Sequence, residues 1–316
     1  MTDTKIIAVT GATGAQGGGL AHAILADPSG GFAVRAITRH KDSDKARALA
    51  EMGAEVVEAD LDASATLEKA FAGAYGAFSV TNFWEHFSPE REQAQARNMA
   101  EAASAAGLKH VIWSTLEDVR RWVPLDDERM PTLGGQWKVP HFDGKGAIDH
   151  VWNDLGVPTT FLLTSFYWEN FIHFGMGPKV GPDGTLAISM PMGDGKLTGI
   201  AAGDIGPTAY AIFKRGCEYI GKTVGIAGDH VSGKDMAVAF TRALGRRVVY
   251  NDMAPEAYRA LDFPGADDLG NMFQFYRDFN EDFMASRSVE RTRRLNPKLA
   301  SFQQWLDANA KAVPLG

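Results

Sequence analysis

The sequence predicts an α/β fold in which a doubly wound parallel sheet is joined to a smaller C-terminal α+β lobe. Three observations support this prediction. A short apolar run from Lys5 to Val9 leads into a glycine-rich turn at Gly11 and then into a helical pattern. Strand and helix patterns alternate from there to Thr164, as they do in consecutive βαβ units. This alternation ends after Asn170, where a second structural unit is expected to begin.

The first half of the chain is expected to contain six strands with helices between them. Its strand segments are rich in β-branched and aromatic residues, as buried parallel strands are. They cover residues 5–9, 32–39, 54–60, 75–82, 110–115 and 159–164. Five helices are predicted between these strands. The first starts directly after the glycine turn, the second ends near residue 49 and the third covers residues 64–71 with Ser64 as its N-cap. The fourth ends near residue 106, and the fifth covers residues 142–155.

The second half is irregular at first and then largely helical. Residues 175–199 are rich in glycine and proline, which predicts loops or a small hairpin. A helix over residues 205–214 and a strand over 223–227 follow, and Ser232 is predicted to open another helix. Residues 255 to about 310 are expected to be mostly helical. We therefore predict a dinucleotide-binding domain over residues 1–168, with 198–230 returning to it, and a smaller lobe over 169–197 and 231–316.

Composition and charge argue against several classes of function. The chain has 316 residues, of which 45% are hydrophobic, and a net charge of −7. The hydrophobic content is sufficient for a large core, but the net negative charge argues against the basic surface that direct nucleic-acid binding requires. Its single cysteine, Cys217, cannot form an intramolecular disulfide and fits a reducing compartment. We expect a cytoplasmic protein without a signal peptide and without a membrane span.

The glycine-rich turn has the spacing Gly-x-x-Gly-x-x-Gly, formed by Gly11, Gly14 and Gly17. Between a strand and a helix, such glycines allow a tight turn, a close approach of the backbone to a pyrophosphate and close packing of the helix on its strand. The N–H groups at the helix start would face the phosphates. This strand–turn–helix context predicts a Rossmann-type dinucleotide site, whereas an ordinary glycine-rich turn is the alternative.

The end of the second strand indicates which dinucleotide would bind. An NAD site usually places an acidic side chain there, but this sequence has no carboxylate before Asp42. Arg39 can instead form a bidentate pair with a 2′-phosphate, and Lys41 would support it. We therefore predict NADP(H) as the cofactor, with a solvated basic turn as the alternative.

The third strand ends in an acidic run that has two interpretations. Asp60 and Leu61 are expected to border the adenine, because ligands of such sheets bind beside the carboxyl ends of the strands. Asp62 could instead cap the following helix. The sequence leaves both interpretations open.

Residues 216–223 match the P-loop string of nucleotide triphosphatases. A P-loop has to follow a strand and open a helix, so that backbone amides converge on the phosphates. Here Gly216 follows a predicted helix and Thr223 begins a predicted strand. The order is reversed, and we therefore reject a triphosphate site.

The candidate catalytic residues are Ser114, His141 and Lys145. A short-chain reductase uses a Ser, a Tyr and a Lys four residues after the Tyr, in which the phenol transfers the proton. Here His141 stands four residues before Lys145, in place of the tyrosine. A histidine can act as acid or base near neutral pH, although a packed histidine is the alternative. The eight histidines show no His-Glu-x-x-His pattern, so no metal is expected.

These motifs together resemble the NmrA-like branch of the atypical short-chain dehydrogenase/reductases. The resemblance covers nearly the whole chain and includes residues 81–85, 141–146, 167–170, 263–266, 271–273 and 294–298. It implies that NADP(H) lies with its phosphates on the glycine loop, with Lys145 near the nicotinamide ribose and Tyr167 to Asn170 near the nicotinamide. With Asp60 and Leu61, the expected cofactor contacts are Gly11, Ala12, Thr13, Gly14, Ala15, Gln16, Gly17, Arg39, Thr81, Asn82, Phe83, Lys145, Tyr167, Trp168 and Asn170.

The resemblance implies one of two functions. Some members of the family lack the catalytic tyrosine, sense NADP(H) and act on protein partners, and this chain is predicted to be such a redox sensor, with a regulatory protein partner and the option of a homodimer. The alternative is an NADPH-dependent reductase that uses Lys145, with or without His141, on a small carbonyl or aromatic substrate. Such a substrate would occupy an aromatic-rich cleft between the lobes, to which Trp84 and residues 166–168 would contribute.

Overall fold

The structure, a computed structural model, describes residues 4–181 and 183–315. Its contacts divide the chain into two compact units. The first unit contains the described residues up to Asp118, His141–Thr164 and Ala202–Val224. The second contains Val119–Pro140, Ser165–Ala201 and the described residues from Gly225 onward. The segment Val119–Pro140 therefore lies in the second unit, whereas the sequence led us to expect it in the first.

The described residues form strands and helices in the following order along the chain. The strands are β1 (Lys5–Val9), β2 (Phe32–Thr38), β3 (Glu55–Glu58), β4 (Gly76–Ser79), β5 (His110–Thr115), β6 (Thr159–Leu163), β7 (Phe166–Tyr167), β8 (Lys179–Val180), β9 (Leu186–Met190), β10 (Lys196–Ile200), β11 (Thr223–Gly225), β12 (Asp229–Ser232) and β13 (Val248–Asp252). The helices are α1 (Ala15–Leu25), α2 (Asp44–Glu51), α3 (Ser64–Phe71), α4 (Pro89–Ala105), α5 (Pro140–Gly146), α6 (Asp149–Asp154), α7 (Asn170–His173), α8 (Ala202–Lys214), α9 (Gly233–Leu244), α10 (Pro255–Arg259), α11 (Ala266–Asp278), α12 (Asn280–Ser286), α13 (Val289–Leu295) and α14 (Phe302–Asn309).

A seven-stranded sheet forms the centre of the first unit. Its strand order is β11-β6-β5-β4-β1-β2-β3, and β1 to β6 pair in parallel. This arrangement confirms the predicted doubly wound α/β fold. The chain runs outward from β1 through β2 to β3 and then crosses back to β4 on the other side of β1. Ligands of such sheets bind beside the carboxyl ends of the strands at this switch point, here β1 and β4.

Both faces of this sheet are buried. Ala8 belongs to a cluster that also contains Leu67 of α3, Met99 of α4 and Trp152 of α6. Side chains alternate along a strand, so the neighbours of Ala8 point to the opposite face, and Ile7 is fully buried there. Burial on both faces explains why the strand segments read as nearly continuous apolar runs.

The second unit contains two small sheets and most of the remaining helices. Their strand orders are β12-β10-β7 and β13-β9-β8. The antiparallel pair β8–β9 confirms the small hairpin predicted within residues 175–199. The helices α10 to α14 confirm the helical character predicted from residue 255 onward. Ser232 caps α9 by accepting a hydrogen bond from the backbone N–H of Asp235, as expected.

Two local predictions are wrong, and one interpretation that the sequence left open is not observed. Ser64 is the first residue of α3 and not its N-cap, which is Ala63 and makes no side-chain capping bond. Asp62 does not cap that helix either, because its carboxylate pairs with Arg91. The single helix expected over residues 142–155 is divided into α5 and α6, and the break follows Gly146, a residue of low helix propensity. Among the described residues, no helix reaches the length and hydropathy that crossing a membrane requires.

Candidate functional site

The glycine loop lies between the end of β1 and the start of α1. Gly11 has φ of +59°, a left-handed conformation that favours glycine. A Cβ on Gly17 would lie 2.5 Å from the carbonyl oxygen of Thr10, so only glycine lets the helix approach the strand this closely. Gly14 is the N-cap of α1 and provides no side-chain capping bond, and the first turn has no acidic residue. The loop therefore leaves a helix start that suits a pyrophosphate, and a dinucleotide fits it.

Thr10 connects this loop to the neighbouring strand across the switch point. Its hydroxyl contacts the carbonyl oxygens of Phe78 and Val80, each at 3.2 Å, and accepts a hydrogen bond of 2.9 Å from the N–H of Val80. The end of β1 is thus attached to the chain that leaves β4. This attachment places the glycine loop next to the segment that contains Thr81 and Asn82, two of the expected cofactor contacts.

Arg39 follows β2 directly, and its guanidinium group pairs with the carboxylate of Glu85. Arg39 Nη2 lies 3.0 Å from Glu85 Oε2, and Nη1 contacts Oε1 as well. The side chains are 46% and 40% exposed. The hydrogen bond from Arg39 lowers the pKa of Glu85, and it outweighs the opposite effect of desolvation. Nζ of Lys41 lies 3.9 Å from Oε2 of Glu58. Arg39 is therefore a cation at the end of β2, as an NADP(H) site requires, but a carboxylate of the same chain already contacts it.

Lys145 belongs to a buried polar cluster, in contrast to the exposed pair of Arg39 and Glu85. Its ammonium group contacts Oε1 of Glu92 and the hydroxyl of Thr81, and Thr81 in turn donates a hydrogen bond of 2.6 Å to Oε1 of Glu92. The same ammonium group lies 5.3 Å from the ring centroid of Trp113. Glu92 is fully buried and Lys145 is only 8% exposed. The carboxylate therefore compensates a charge that would be costly to bury alone.

His86 extends the cluster on the other side of Glu92. Its Nε2 lies 3.5 Å from Oε2 of Glu92, and its side chain is 5% exposed. Its Nδ1 accepts a hydrogen bond of 3.1 Å from the N–H of Ser88, so the neutral ring carries its hydrogen on Nε2, facing Glu92. Thr81, Lys145, Glu92 and His86 thus form one connected group of polar side chains.

His141 and Ser114 differ in their relation to this cluster. His141 precedes Lys145 by one helical turn, is 7% exposed and packs 4.8 Å from the ring of Trp84. Ser114 is 2% exposed within β5, between Trp113 and Thr115, whose side chains both bind Asp149. Strand alternation therefore directs Ser114 to the opposite face of the sheet from Trp113. The described contacts connect Lys145 with Trp113 and do not join Ser114 to the cluster.

The other expected contacts of the first unit lie along the same edge of the sheet. Asp60 accepts a hydrogen bond of 3.0 Å from the N–H of Asp62, and the carbonyl of Leu61 accepts one of 2.8 Å from Asn98. Asn82 is exposed, whereas Phe83 is 3% exposed, so a contact from Phe83 to a cofactor would use its backbone.

The three residues expected near the nicotinamide belong to the second unit. Tyr167 ends β7 and Asn170 begins α7, and both are half-buried. Trp168 is only 2% exposed, with its ring centroid 5.5 Å from that of Phe302 and 6.0 Å from that of Trp305. Its ring is therefore part of the core of that unit and does not form the open aromatic wall that the sequence suggested.

Sequence reasoning missed three residues of this region: Glu85, His86 and Glu92. Glu92 had a detectable signal, because it precedes the buried Ala96 and Met99 by four and seven residues on α4 and so lies on the buried face of that helix. A glutamate on an apolar helix face requires a partner, which is Lys145. Glu85 and His86 had no comparable signal, since their partners are distant in sequence or depend on the fold.

Known structures have the same fold. NmrA, described as a negative transcriptional regulator, gives a TM-score of 0.79 at 24% identity, with 96% of this chain and 95% of NmrA covered. The triphenylmethane reductase of Citrobacter sp., solved in complex with NADP(H), gives 0.75 at 21% identity, with 97% and 99% covered. At these identities the likeness supports the fold alone.

Sequence relatives define the family. The NmrA-like family domain-containing oxidoreductase FrzB of Cladobotryum sp is 31% identical over 310 residues, which cover 91% of this chain and 88% of that protein. The corresponding oxidoreductase himF of Aspergillus japonicus is 27% identical over 304 residues, with the same coverage. A model of the NmrA-like family matches residues 3–306. The chain thus belongs to the NmrA-like family.

Proposed function

We propose that this protein is an NADP(H)-binding redox sensor that acts through protein partners, with little or no dehydrogenase turnover. One observation carries the proposal: Lys145 is retained in a buried ion pair, but no described tyrosine of the first unit accompanies it. Tyr75 packs against Phe32. The two others are Tyr210, which binds Asp27, and Tyr219, which lies near Lys222. A cofactor could thus be held in a site that lacks the usual proton donor.

The residues present suit the binding of NADP(H). The start of α1 would receive the pyrophosphate, Arg39 the 2′-phosphate, and Lys145 the hydroxyls of the nicotinamide ribose. When bound, the cofactor supplies a hydride or accepts one. NmrA, which has the same fold, has been solved with NADP and with NAD and is described as a negative transcriptional regulator, and the regulatory role of this chain is proposed by analogy with it.

Calorimetric titration with NADP+, NADPH, NAD+ and NADH tests this function, together with size-exclusion chromatography and an NADPH-oxidation assay. We expect selective binding of the phosphorylated dinucleotides, a change in size or shape on binding and no steady oxidation of NADPH with small carbonyl compounds. Sustained oxidation would contradict the sensor. A lack of binding by all four dinucleotides would contradict the cofactor site itself.

A second candidate function, an NADPH-dependent reductase, is favoured by the polar cluster around Lys145. Lys145 Nζ could donate a proton to a carbonyl oxygen of the substrate. That proton could be replaced by way of Glu92 and His86, whose facing Oε2 and Nε2 atoms lie 3.5 Å apart. The names of FrzB and himF as oxidoreductases support this candidate.

Replacement of the lysine separates the two functions once any turnover has been found. If the enzyme hypothesis is right, Lys145→Met should lower kcat by about a hundredfold or more, a typical effect of losing a general acid. Lys109→Met is the matched control, because Lys109 is exposed immediately before β5. Equal turnover in both variants would contradict a role of Lys145 as proton donor.

A further inference from the structure

The carboxylate of Glu85 contacts Nη1 and Nη2 of Arg39, two donors that a 2′-phosphate could also use. The two residues are 46 positions apart in the sequence and meet through two hydrogen bonds, one on each oxygen of the carboxylate. The guanidinium fork binds phosphate and carboxylate in the same two-point geometry. A 2′-phosphate and Glu85 would therefore compete for the same donors of Arg39.

We propose that Glu85 is an internal competitor for the 2′-phosphate, which NADP(H) must displace from Arg39 and which NAD(H) leaves in place. This inference rests on the proposed binding of NADP(H), and it adds a residue that sets the preference between the two dinucleotides. NAD(H) has a neutral hydroxyl at the 2′ position, so it has no charge with which to displace the carboxylate. Once a phosphate is bound to Arg39, its negative charge also repels the carboxylate of Glu85, which favours the state in which Arg39 and Glu85 are separated.

The exposure of the ion pair makes such an exchange energetically feasible. Both side chains are more than one third exposed, and exposed ion pairs contribute little to stability. A doubly charged phosphate can therefore replace the carboxylate at a small cost. Loss of the competitor should strengthen NADP(H) binding by about two- to fivefold, the range expected for an exposed pair.

Glu85 lies in a short segment, residues 83–87, whose other side chains contact the region of Lys145. Trp84 packs against His141, the neighbour of Lys145 on α5, and His86 faces Glu92. Phe87 has φ of +54°, an uncommon conformation for a residue other than glycine, so the segment is held in a strained form. The pair with Arg39 is one restraint on the conformation of residues 83–87, and release of Glu85 would remove it. A 2′-phosphate that displaces Glu85 would therefore also change the position of Trp84 and His86, and so the surroundings of His141 and Lys145.

Two substitutions and a matched control test the competition by calorimetry of the full chain with NADP+ and NAD+. Glu85→Gln removes the charge at constant size, and Glu85→Ala removes the side chain. Glu68→Gln on α3 causes the same change in net charge at an exposed residue for which the described structure shows no side-chain partner. We expect both Glu85 variants to bind NADP+ about two- to fivefold more tightly, without tighter binding of NAD+, and the control to resemble the wild type.

Three results would overturn the inference: unchanged NADP+ affinity, weaker NADP+ affinity, or equal gains for NADP+ and NAD+. The last result would indicate a general charge effect. Failure of the wild type to bind either dinucleotide is a different outcome, because it contradicts the proposed function rather than the role of Glu85.

The fluorescence of Trp84 provides an independent readout of the transmission. The difference between the wild type and Trp84→Phe isolates its contribution. We expect this contribution to change on addition of NADP+, to remain constant with NAD+, and to respond less to NADP+ in Glu85→Gln. An identical response to both dinucleotides would contradict displacement of the segment by the 2′-phosphate.

Discussion

His86 and Glu92 face each other inside the first unit, with Nε2 of the imidazole 3.5 Å from Oε2 of the carboxylate. The other oxygen of Glu92 contacts Lys145 and Thr81. Within the described residues, Nε2 of His86 and Oε2 of Glu92 are both buried and neither has a hydrogen-bond partner. Glu92 therefore connects a buried ammonium group with a buried imidazole, and it is the residue on which the charge balance of the cluster depends.

Glu92→Gln is expected to lower the free energy of unfolding by about 3–5 kcal/mol, because it leaves the ammonium of Lys145 buried without its counter-charge. Urea denaturation near neutral pH measures this loss. The double variant Glu92→Gln/Lys145→Met is the informative control, since it removes both charges and should recover part of the stability. If the double variant is as unstable as the sum of the two single variants, the ion pair is not the source of the effect.

Arg39→Ala is expected to weaken the binding of NADPH by about tenfold or more and that of NADH only slightly. The lost interaction is a pair of charge-assisted hydrogen bonds to the 2′-phosphate, which NADH lacks. Calorimetry of the wild type and the variant with both dinucleotides measures how much each dissociation constant changes. Arg47→Ala serves as the control, because Arg47 is an exposed residue of α2 that pairs with Asp44 at the start of its own helix. Equal losses for NADPH and NADH would mean that the 2′-phosphate binds elsewhere.

The parts of the fold that depend on local pattern could be predicted from the sequence. The strand from Lys5 to Val9, the glycine turn and α1 follow each other within 21 residues, and their order alone indicates a dinucleotide fold. The division between α5 and α6 was also within reach, since Gly144 and Gly146 lower helix propensity at that point.

The contacts around the candidate site could be predicted only in part. The positions of Arg39 and Lys145 follow from the strands and helices that carry them. Their carboxylate partners come from the segment after β4 and from α4, and no local pattern specifies which acidic residue folds against which cation. For Trp168 the sequence could not decide whether the side chain is buried or lines a ligand site, because an aromatic residue near a predicted site is compatible with both. Its burial is decided by α14, which is far away in the sequence.

Gly17→Ala is expected to lower the free energy of unfolding by about 1–3 kcal/mol and to weaken dinucleotide binding. The added Cβ would lie 2.5 Å from the carbonyl oxygen of Thr10, and this backbone atom cannot move without displacing the glycine loop. Thermal denaturation and calorimetry measure the two effects. Gly203→Ala is the matched control in α8, where a Cβ meets no atom within 4 Å, and it should be neutral or slightly stabilising. If both variants behave alike, close packing at Gly17 is not the cause.

His110 is fully buried at the start of β5. Thr160 donates its hydroxyl hydrogen to the carbonyl of Tyr219, so its oxygen accepts a hydrogen bond of 2.9 Å from Nε2 of His110. The hydrogen of the neutral ring is thus on Nε2. Nδ1 is buried, and the described structure shows no hydrogen-bond partner for it. Burial lowers the pKa of His110 from 6.5 to about 4, because a charged imidazole would lose its hydration.

This shift predicts a loss of stability on acidification. Below pH 6.5 the unfolded chain binds a proton at His110 that the folded chain does not bind until about pH 4, so protons favour unfolding throughout this interval. The resulting loss in the free energy of unfolding is negligible above pH 6.5 and reaches about 3 kcal/mol near pH 4.

His110→Gln keeps a donor for Thr160 but does not titrate, so its free energy of unfolding should fall less steeply between pH 6.5 and 4 than that of the wild type. Urea denaturation across this interval measures the difference, with His150→Gln at an exposed position of α6 as the control. Parallel pH profiles for the wild type and His110→Gln would show that His110 does not titrate differently in the two states.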